Sequence, residues 1–182
     1  MTNTEAKVDG IFEDFNEVVF KPLTTLTWKD GAGGSYPLPT SKISRSDIRE
    51  DNVNFFPSIF QSFQQKSSET RALFCGDKYL AGEITEKTKQ KHFDWRMWPT
   101  DQIVVKQTAL PSKLAKQCCD LLSDLGLGTG VFDFIKTPSG EYYFLEVNAG
   151  GNFLSMQVYC PDLCLKEFFT NYILDLTGGS RE

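Results

Sequence analysis

The sequence predicts an α+β fold, mostly antiparallel sheets with packing helices, and three observations predict it. Two strand–turn–strand patterns, one turning at Gly76-Asp77 and one at Thr137-Pro138-Ser139-Gly140, make antiparallel hairpins. Between them Pro111–Leu125 carries Leu114, Cys118, Leu121, Leu122 and Leu125 on one helical stripe, stopped by Gly126. Beyond them Asp162–Leu176 repeats the pattern with Leu165, Phe168, Phe169, Tyr172 and Ile173, ahead of a Gly-Gly-Ser tail.

In chain order, residues 1–16 are polar with small apolar pairs and predict a short helix or a frayed arm. EVVFK, Glu17–Lys21, predicts a strand stopped by Pro22. Thr24–Ser35, TTLTWKDGAGGS, predicts a mobile loop because its glycines restrain the backbone least. It matches neither GxxxxGK[ST] nor GxGxxG. Tyr36–Ile43 returns as a strand, followed by a short helix begun by Ser44 or Ser46 and running through Arg49. Ser58–Phe63 predicts a strand entered through Pro57, and Thr70–Cys75 with Lys78–Thr85 predict the first hairpin. FDWRMW, Phe93–Trp98, read as extended, puts Asp94, Arg96 and Trp98 on one face and Phe93, Trp95 and Met97 on the other.

Bulk properties narrow the function. At 182 residues the chain forms one or two domains, and its 40% apolar and 24% charged composition is that of a soluble globular protein. A net charge of −5 without a long basic run argues against nucleic-acid binding. There is no apolar run long enough to span a membrane and no charged-then-apolar leader. Five cysteines, with Cys118-Cys119 adjacent and Cys160 and Cys164 one helical turn apart, lack a disulfide-framework spacing, which points to reduced thiols and a cytoplasmic location. One histidine, His92 on a Lys-rich connection, is too few for a zinc cluster and reads as a surface residue rather than a catalytic base.

The second hairpin, Gly128–Asn152, concentrates the chemistry. A four-residue turn sets Lys136 opposite Glu141 and Asp133 opposite Phe144, diagonal to Glu146. Strand alternation then gathers Asp133, Glu146 and Asn148 on one face, with Val131, Ile135, Tyr142 and Phe144, while Phe132, Phe134, Tyr143, Leu145 and Val147 line the other. Acidic residues on a strand face are ordinarily its solvated side. Here both faces are apolar enough to predict cover on both, and covered carboxylates require a positive partner. Diagonal neighbours lie about 7–8 Å apart at the backbone, so two carboxylates can share an ion. Oxygen donors of this kind suit Mg²⁺ or Mn²⁺ rather than zinc.

Asp133, then Glu146 in FLEVN, Asn148 and a glycine-containing turn resemble the metal-binding end of the ATP-grasp ligases. FDWR and the segment Ile59–Ile84 are similar to the microviridin-type peptide maturases, which install ester and amide cross-links in ribosomal precursor peptides. The likeness runs from about Val18 to about Asn152. It implies an incomplete small lobe, residues 1–57, and a larger lobe, residues 58–182, with ATP between them and Mg²⁺ bridging its phosphates to Asp133, Glu146 and Asn148.

Further roles follow from the same likeness. Lys21 reaches phosphates, or is a plain solvent-exposed charge at a strand end; the glycine loop covers the triphosphate, or is a plain hairpin loop. Backbone groups of Gln61, Ser62 and Phe63 bond the adenine edge, where side-chain identity matters little. Arg71 neutralises transferred phosphate and Glu69 bonds the sugar or positions Arg71, with a structural ion pair as the other reading of each. Arg96 contacts phosphate or a substrate carboxylate, or is half of a salt bridge in an aromatic edge. The implied activity is ADP-forming ligation of a carboxylate to an amine or hydroxyl through an acyl phosphate, on a peptide or small carboxylate substrate. Complete members carry an N-terminal domain ahead of the matched region. That leaves a partner chain or a homodimer to supply the missing part, and a second function, a non-catalytic nucleotide- or peptide-binding partner of a complete enzyme.

Overall fold

The computed structural model describes residues 5–22, 27–29, 35–37, 40–47, 58–88 and 94–178. It divides into two compact units, Met1–Gln64 with Gln90–Trp98, and Gln65–Lys89 with Pro99–Glu182. No helix among the described residues is long and apolar enough to cross a membrane.

The first unit opens with helix α1 (Glu5–Asp14) and strand β1 (Glu17–Pro22). Strands β2 (Thr27–Lys29), β3 (Ser35–Pro37), β4 (Ser41–Ser44) and β5 (Ser58–Ser62) follow. β1 lies between β4 and β5, antiparallel to both, and β2 pairs with β3. Val18 and Val19 are buried and explain why EVVFK is a strand, and Phe20 meets Phe60 edge-on at 5.5 Å across the β1–β5 ladder. Of the expected loop Thr24–Ser35, residues 24–26 and 30–34 lie outside the described residues, while Thr27–Lys29, expected as loop, is a strand whose Lys29 pairs with Ser35. The short helix expected after Ser44 is a single 3₁₀ turn, Arg45–Asp47, held by Asp47, whose carboxylate accepts from the Ser44 N–H at 2.8 Å and its hydroxyl at 2.7 Å.

Within the expected strand Phe93–Trp98, whose Phe93 lies outside the described residues, Trp95–Met97 is not extended. Trp95–Met97 form a 3₁₀ turn, capped by Asp94, whose carboxylate accepts from the Arg96 N–H at 3.0 Å. A short acidic side chain that bonds the backbone two residues on favours a cap or turn over a strand. The alternating faces expected here therefore do not exist.

The second unit is one antiparallel sheet between helices. Its elements are β6 (Ser68–Cys75), β7 (Lys78–Glu86), β8 (Ile103–Thr108), α2 (Ser112–Asp124), β9 (Thr129–Lys136), β10 (Tyr142–Asn148), α3 (Ser155–Tyr159) and α4 (Leu165–Thr177). The strand order is β10-β9-β6-β7-β8. β6 and β9 are interior and buried on both faces, which is why they read as near-continuous apolar runs. One face, with Ala72, Phe74, Phe132 and Phe134, packs with Cys118 and Leu122 of α2. On the other, Gly82 admits Met156 and Leu163: a Cβ there would stand 2.9 Å from Val105, 3.2 Å from Met156 and 3.3 Å from Leu163.

Turn chemistry sets the hairpins. Gly76 has φ +60° and opens a two-residue loop closed by the Cys75–Lys78 pair, the glycine-first order that a type II′ turn requires. α2 runs as expected, but Leu125 is its C-cap and is 52% exposed, outside the core stripe. The last helix starts later than the sequence suggests. Pro161–Leu163 form a 3₁₀ turn, and Cys164 takes φ +47°, a left-handed backbone that cannot continue a right-handed helix, so α4 begins at Leu165.

Candidate metal centre

The second hairpin turns as its residues require. The Gly140 N–H donates to the Thr137 carbonyl at 2.9 Å, and Gly140 takes φ +87°. The Thr137 N–H then donates to the Glu141 carbonyl at 2.9 Å, so the ladder starts at Lys136–Tyr142, one residue from the expected Lys136–Glu141. A β-bulge between Phe144 and Glu146 shifts the register again. Glu146 therefore faces Asp133 directly, where a diagonal was expected, and Asn148 faces Val131. The one-residue shift at the turn also moves two aromatic residues, and the bulge leaves them there. Phe144 and Tyr142 pack on the Phe134 face, with centroids at 6.0 and 6.2 Å, instead of sharing the carboxylate face. β10 is an edge strand with Tyr143 40% and Phe144 50% exposed, so the cover expected on both sides of the hairpin is confined to β9.

Asp133, Glu146 and Asn148 converge. The Asn148 amide nitrogen lies 3.1 Å from Glu146 Oε1 and 3.5 Å from Asp133 Oδ2. Arg71 pairs with Asp133 across the β6–β9 ladder, and its Nη1 donates to both carboxylate oxygens at 3.1 and 3.0 Å. Both side chains are nearly buried, 8% and 10% exposed. The Arg71 Nη2 donates to the Asn152 carbonyl at 3.3 Å, while its Nε is buried without a hydrogen-bond partner among the described residues. The positive partner that covered carboxylates require is thus Arg71. Glu146, by contrast, is exposed.

This donor set fits a hard divalent cation. Glu146 offers a solvent-facing carboxylate, Asn148 an amide whose oxygen and nitrogen exchange by a half-turn, and Asp133 a carboxylate whose charge Arg71 shares. Among the described residues no group of three or more His, Cys, Asp or Glu side chains is disposed to hold a metal ion. Two carboxylates and an amide leave coordination positions for phosphate oxygens and water, the pattern Mg²⁺ favours.

The other predicted residues fall in two places. Glu69, in the second unit, accepts from Lys66 Nζ at 2.5 Å; the i,i+3 spacing of Lys66 and Glu69 was the available signal for that pair. Lys21, half-buried at the end of β1, stands opposite Ile59 in the first unit. Gln61 and Ser62 face Val19 and Val18, and the Phe63 N–H donates to the Glu17 carbonyl at 3.2 Å. Strand alternation then turns the backbone groups of Ser62 toward the outer side of β5. Arg96, also in the first unit, is 52% exposed and reaches Asp94 Oδ2 at 3.3 Å. His92 and Phe93 lie outside the described residues. Thiol chemistry has no support in the core: burial pushes Cys75 up to about 11 and Cys118 up to about 12, so neither is a thiolate at neutral pH.

Sequence reasoning missed Asn152, whose backbone carbonyl holds Arg71, and the tight packing beneath it. A Cβ at Gly151 would stand 2.9 and 3.0 Å from Val131 and 3.1 Å from the Asn148 Cβ, whereas one at Gly150 would meet nothing within 4 Å. Gly151→Ala is expected to destabilise the chain by about 1–3 kcal/mol through overpacking, with Gly150→Ala within about 0.5 kcal/mol of the parent, as urea denaturation would measure.

The antiparallel sheet that carries this carboxylate–amide cluster on its edge hairpin belongs to an α+β fold that is ATP-grasp-like by its match to solved structures. Solved structures that share the fold include ligases and a macrocyclase captured with peptides. One is a Chryseobacterium gregarium RiPP-associated ATP-grasp ligase in complex with ADP and a leader and core peptide, 24% identical, TM-score 0.79, covering 96% of this chain and 52% of that one. A second is the macrocyclase MdnC of Microcystis aeruginosa MRC bound with precursor peptide MdnA, 26% identical, TM-score 0.70, covering 88% and 50%. A third is the ATP-grasp ligase PsnB complexed with a precursor variant, Mg and ADP, 20% identical, TM-score 0.66, covering 88% and 47%. The chain spans about half the length of these structures. No family model and no curated protein matches the sequence.

Proposed function

We propose that the chain takes part in ATP-dependent ligation of a carboxylate to an amine or hydroxyl, on a ribosomal precursor peptide. The observation that carries the reading is the cluster in which Asn148 links Asp133 to Glu146 while Arg71 neutralises Asp133 from the buried side. It is supported by the shared fold with ligases whose complexes contain ADP and precursor peptides.

The reaction balances without a protein nucleophile. A substrate carboxylate oxygen attacks the γ-phosphorus of ATP, the bond to the bridging oxygen breaks, and ADP leaves with the electron pair. The amine or hydroxyl then attacks the acyl carbon, loses its proton, and phosphate departs. Bound at Asp133, Glu146 and Asn148, Mg²⁺ or Mn²⁺ would supply charge neutralisation of phosphate oxygens. Arg71 fixes the Asp133 carboxylate and adds positive charge beside the phosphates; Arg96, with its exposed guanidinium, binds phosphate or the substrate carboxylate. Lys21 binds phosphate, the outward backbone groups of Ser62 bind the adenine edge while those of Gln61 and Phe63 are spent on the β1 ladder, and Glu69, anchored by Lys66, bonds the sugar.

The same cluster, which need only hold a cation against phosphate, also serves a second reading, a nucleotide- or peptide-binding partner that does no chemistry. Incubating the purified chain with ATP, Mg²⁺ and acidic peptides separates them. ADP release is the expected result; a rise in melting temperature with Mg-ATP but no turnover assigns the binding role. A folded protein that neither Mg-ATP nor the peptides stabilise rules out both.

A further inference from the structure

We infer that a cavity beside the carboxylate cluster takes an aromatic or branched aliphatic side chain of the peptide, from the residue two positions away from the one whose carboxylate is activated. The inference rests on the proposed ligase reading and adds a specificity pocket to it. The cavity measures about 160 Å³ and lies within the second unit. Leu73 and Val131 are its buried base, Phe153 and Phe169 flank it with ring centroids 5.0 Å apart, and the exposed Ala149 and Gly150 are at its rim. The lining is mostly apolar and opens to solvent at the Ala149–Gly150 rim, so a phenyl or isobutyl group suits it and a charged group does not.

Its position sets which side chain enters. Val131 stands two residues before Asp133 on the same face of β9 and opposite Asn148. Gly151, at the cavity's edge, packs directly against Val131 and Asn148, and the carbonyl of the next residue, Asn152, accepts from Arg71. Residues two apart along a strand face are about 6–7 Å from each other. An extended peptide offers its own i and i+2 side chains at the same spacing and on the same side. A peptide acid brought to a phosphate held beside the Asp133–Glu146–Asn148 cluster therefore brings the side chain two residues along over the cavity.

The test uses the full chain with Mg-ADP and four acetylated, amidated peptides: Glu-Ala-Phe, Phe-Ala-Glu, Glu-Phe-Ala and Glu-Ala-Ala. Stabilisation by Mg-ADP is measured first, then peptide affinity by calorimetry and methyl NMR of Leu73 and Val131. One of the two peptides with Phe two residues from Glu is expected to bind about tenfold more tightly than Glu-Phe-Ala and Glu-Ala-Ala, and to shift both methyl signals. Phe169→Ala and, separately, Phe153→Ala are expected to remove that preference while Mg-ADP still stabilises the protein. Equal affinities, or no binding of any peptide, in a chain that Mg-ADP stabilises overturns the cavity assignment and leaves the nucleotide reading standing. If Mg-ADP gives no stabilisation, the nucleotide reading falls and the inference falls with it.

Discussion

Asp133→Asn is expected to lower the stability of the chain by about 3 kcal/mol, the low end of what removing one partner of a buried ion pair costs. The substitution keeps volume and polarity but strands the Arg71 guanidinium, which is nearly buried and directs one nitrogen to both Asp133 oxygens. Stability in urea is the measurement. Replacing both partners, Arg71→Met with Asp133→Leu, is expected to recover most of the loss, because an apolar pair needs no counter-charge. A loss under about 1 kcal/mol for the single variant would place the pair among solvent-screened ion pairs and sink the view that Arg71 answers the cost of burying Asp133.

That pairing was half legible in the sequence. Two carboxylate-bearing strands with apolar faces call for a cation, and β6 holds an arginine, but only the ladder that sets Arg71 opposite Asp133 says which cation it is. Long-range register of this kind is fixed by the packing of Phe74, Phe132 and α2, not by any local pattern. The bulge at Leu145 is harder still. Strict alternation along β10 puts Phe144 and Glu146 on one face; the shift at the turn carries Phe144 to the Phe134 side, and the extra residue at Leu145 returns Glu146 to Asp133. No glycine or turn residue marks that position. Asp133, Glu146 and Asn148 nevertheless meet as expected, because Glu146 and Asn148 lie beyond the bulge and keep their own alternation. Glycine punctuation located the turns: Gly76 and Gly140 sit where they were expected, although the second ladder starts one residue off, and Gly126, at φ +65°, ends α2. FDWRMW was misread because aromatic density suggests a strand, while the decisive bond, Asp94 carboxylate to Arg96 N–H, is the local capping chemistry of a short acidic residue.

The contrast between the two carboxylates supplies the other large expected effect. Glu146→Gln should remove Mg²⁺-dependent nucleotide binding while leaving stability within about 0.5 kcal/mol of the parent, as for other exposed substitutions. Glu146 is exposed, and its contact with Asn148 survives as an amide–amide hydrogen bond, so folding does not depend on its charge. A hard cation does depend on it. With Asp133 already shared by Arg71, Glu146 carries the negative charge facing solvent in the cluster, and an amide oxygen is a much weaker ligand for Mg²⁺. Binding of a fluorescent ATP analogue, titrated with and without Mg²⁺, reads the effect as loss of the metal-dependent increment in affinity, at least about tenfold for a lost ligand charge at a partly solvated site. Asp133→Asn and Glu146→Gln thus remove the same formal charge from facing residues yet separate cleanly, one in stability and the other in binding. If Glu146→Gln retains the metal-dependent increment, the cation sits elsewhere, and the Asn148 bridge between the two carboxylates is structural only.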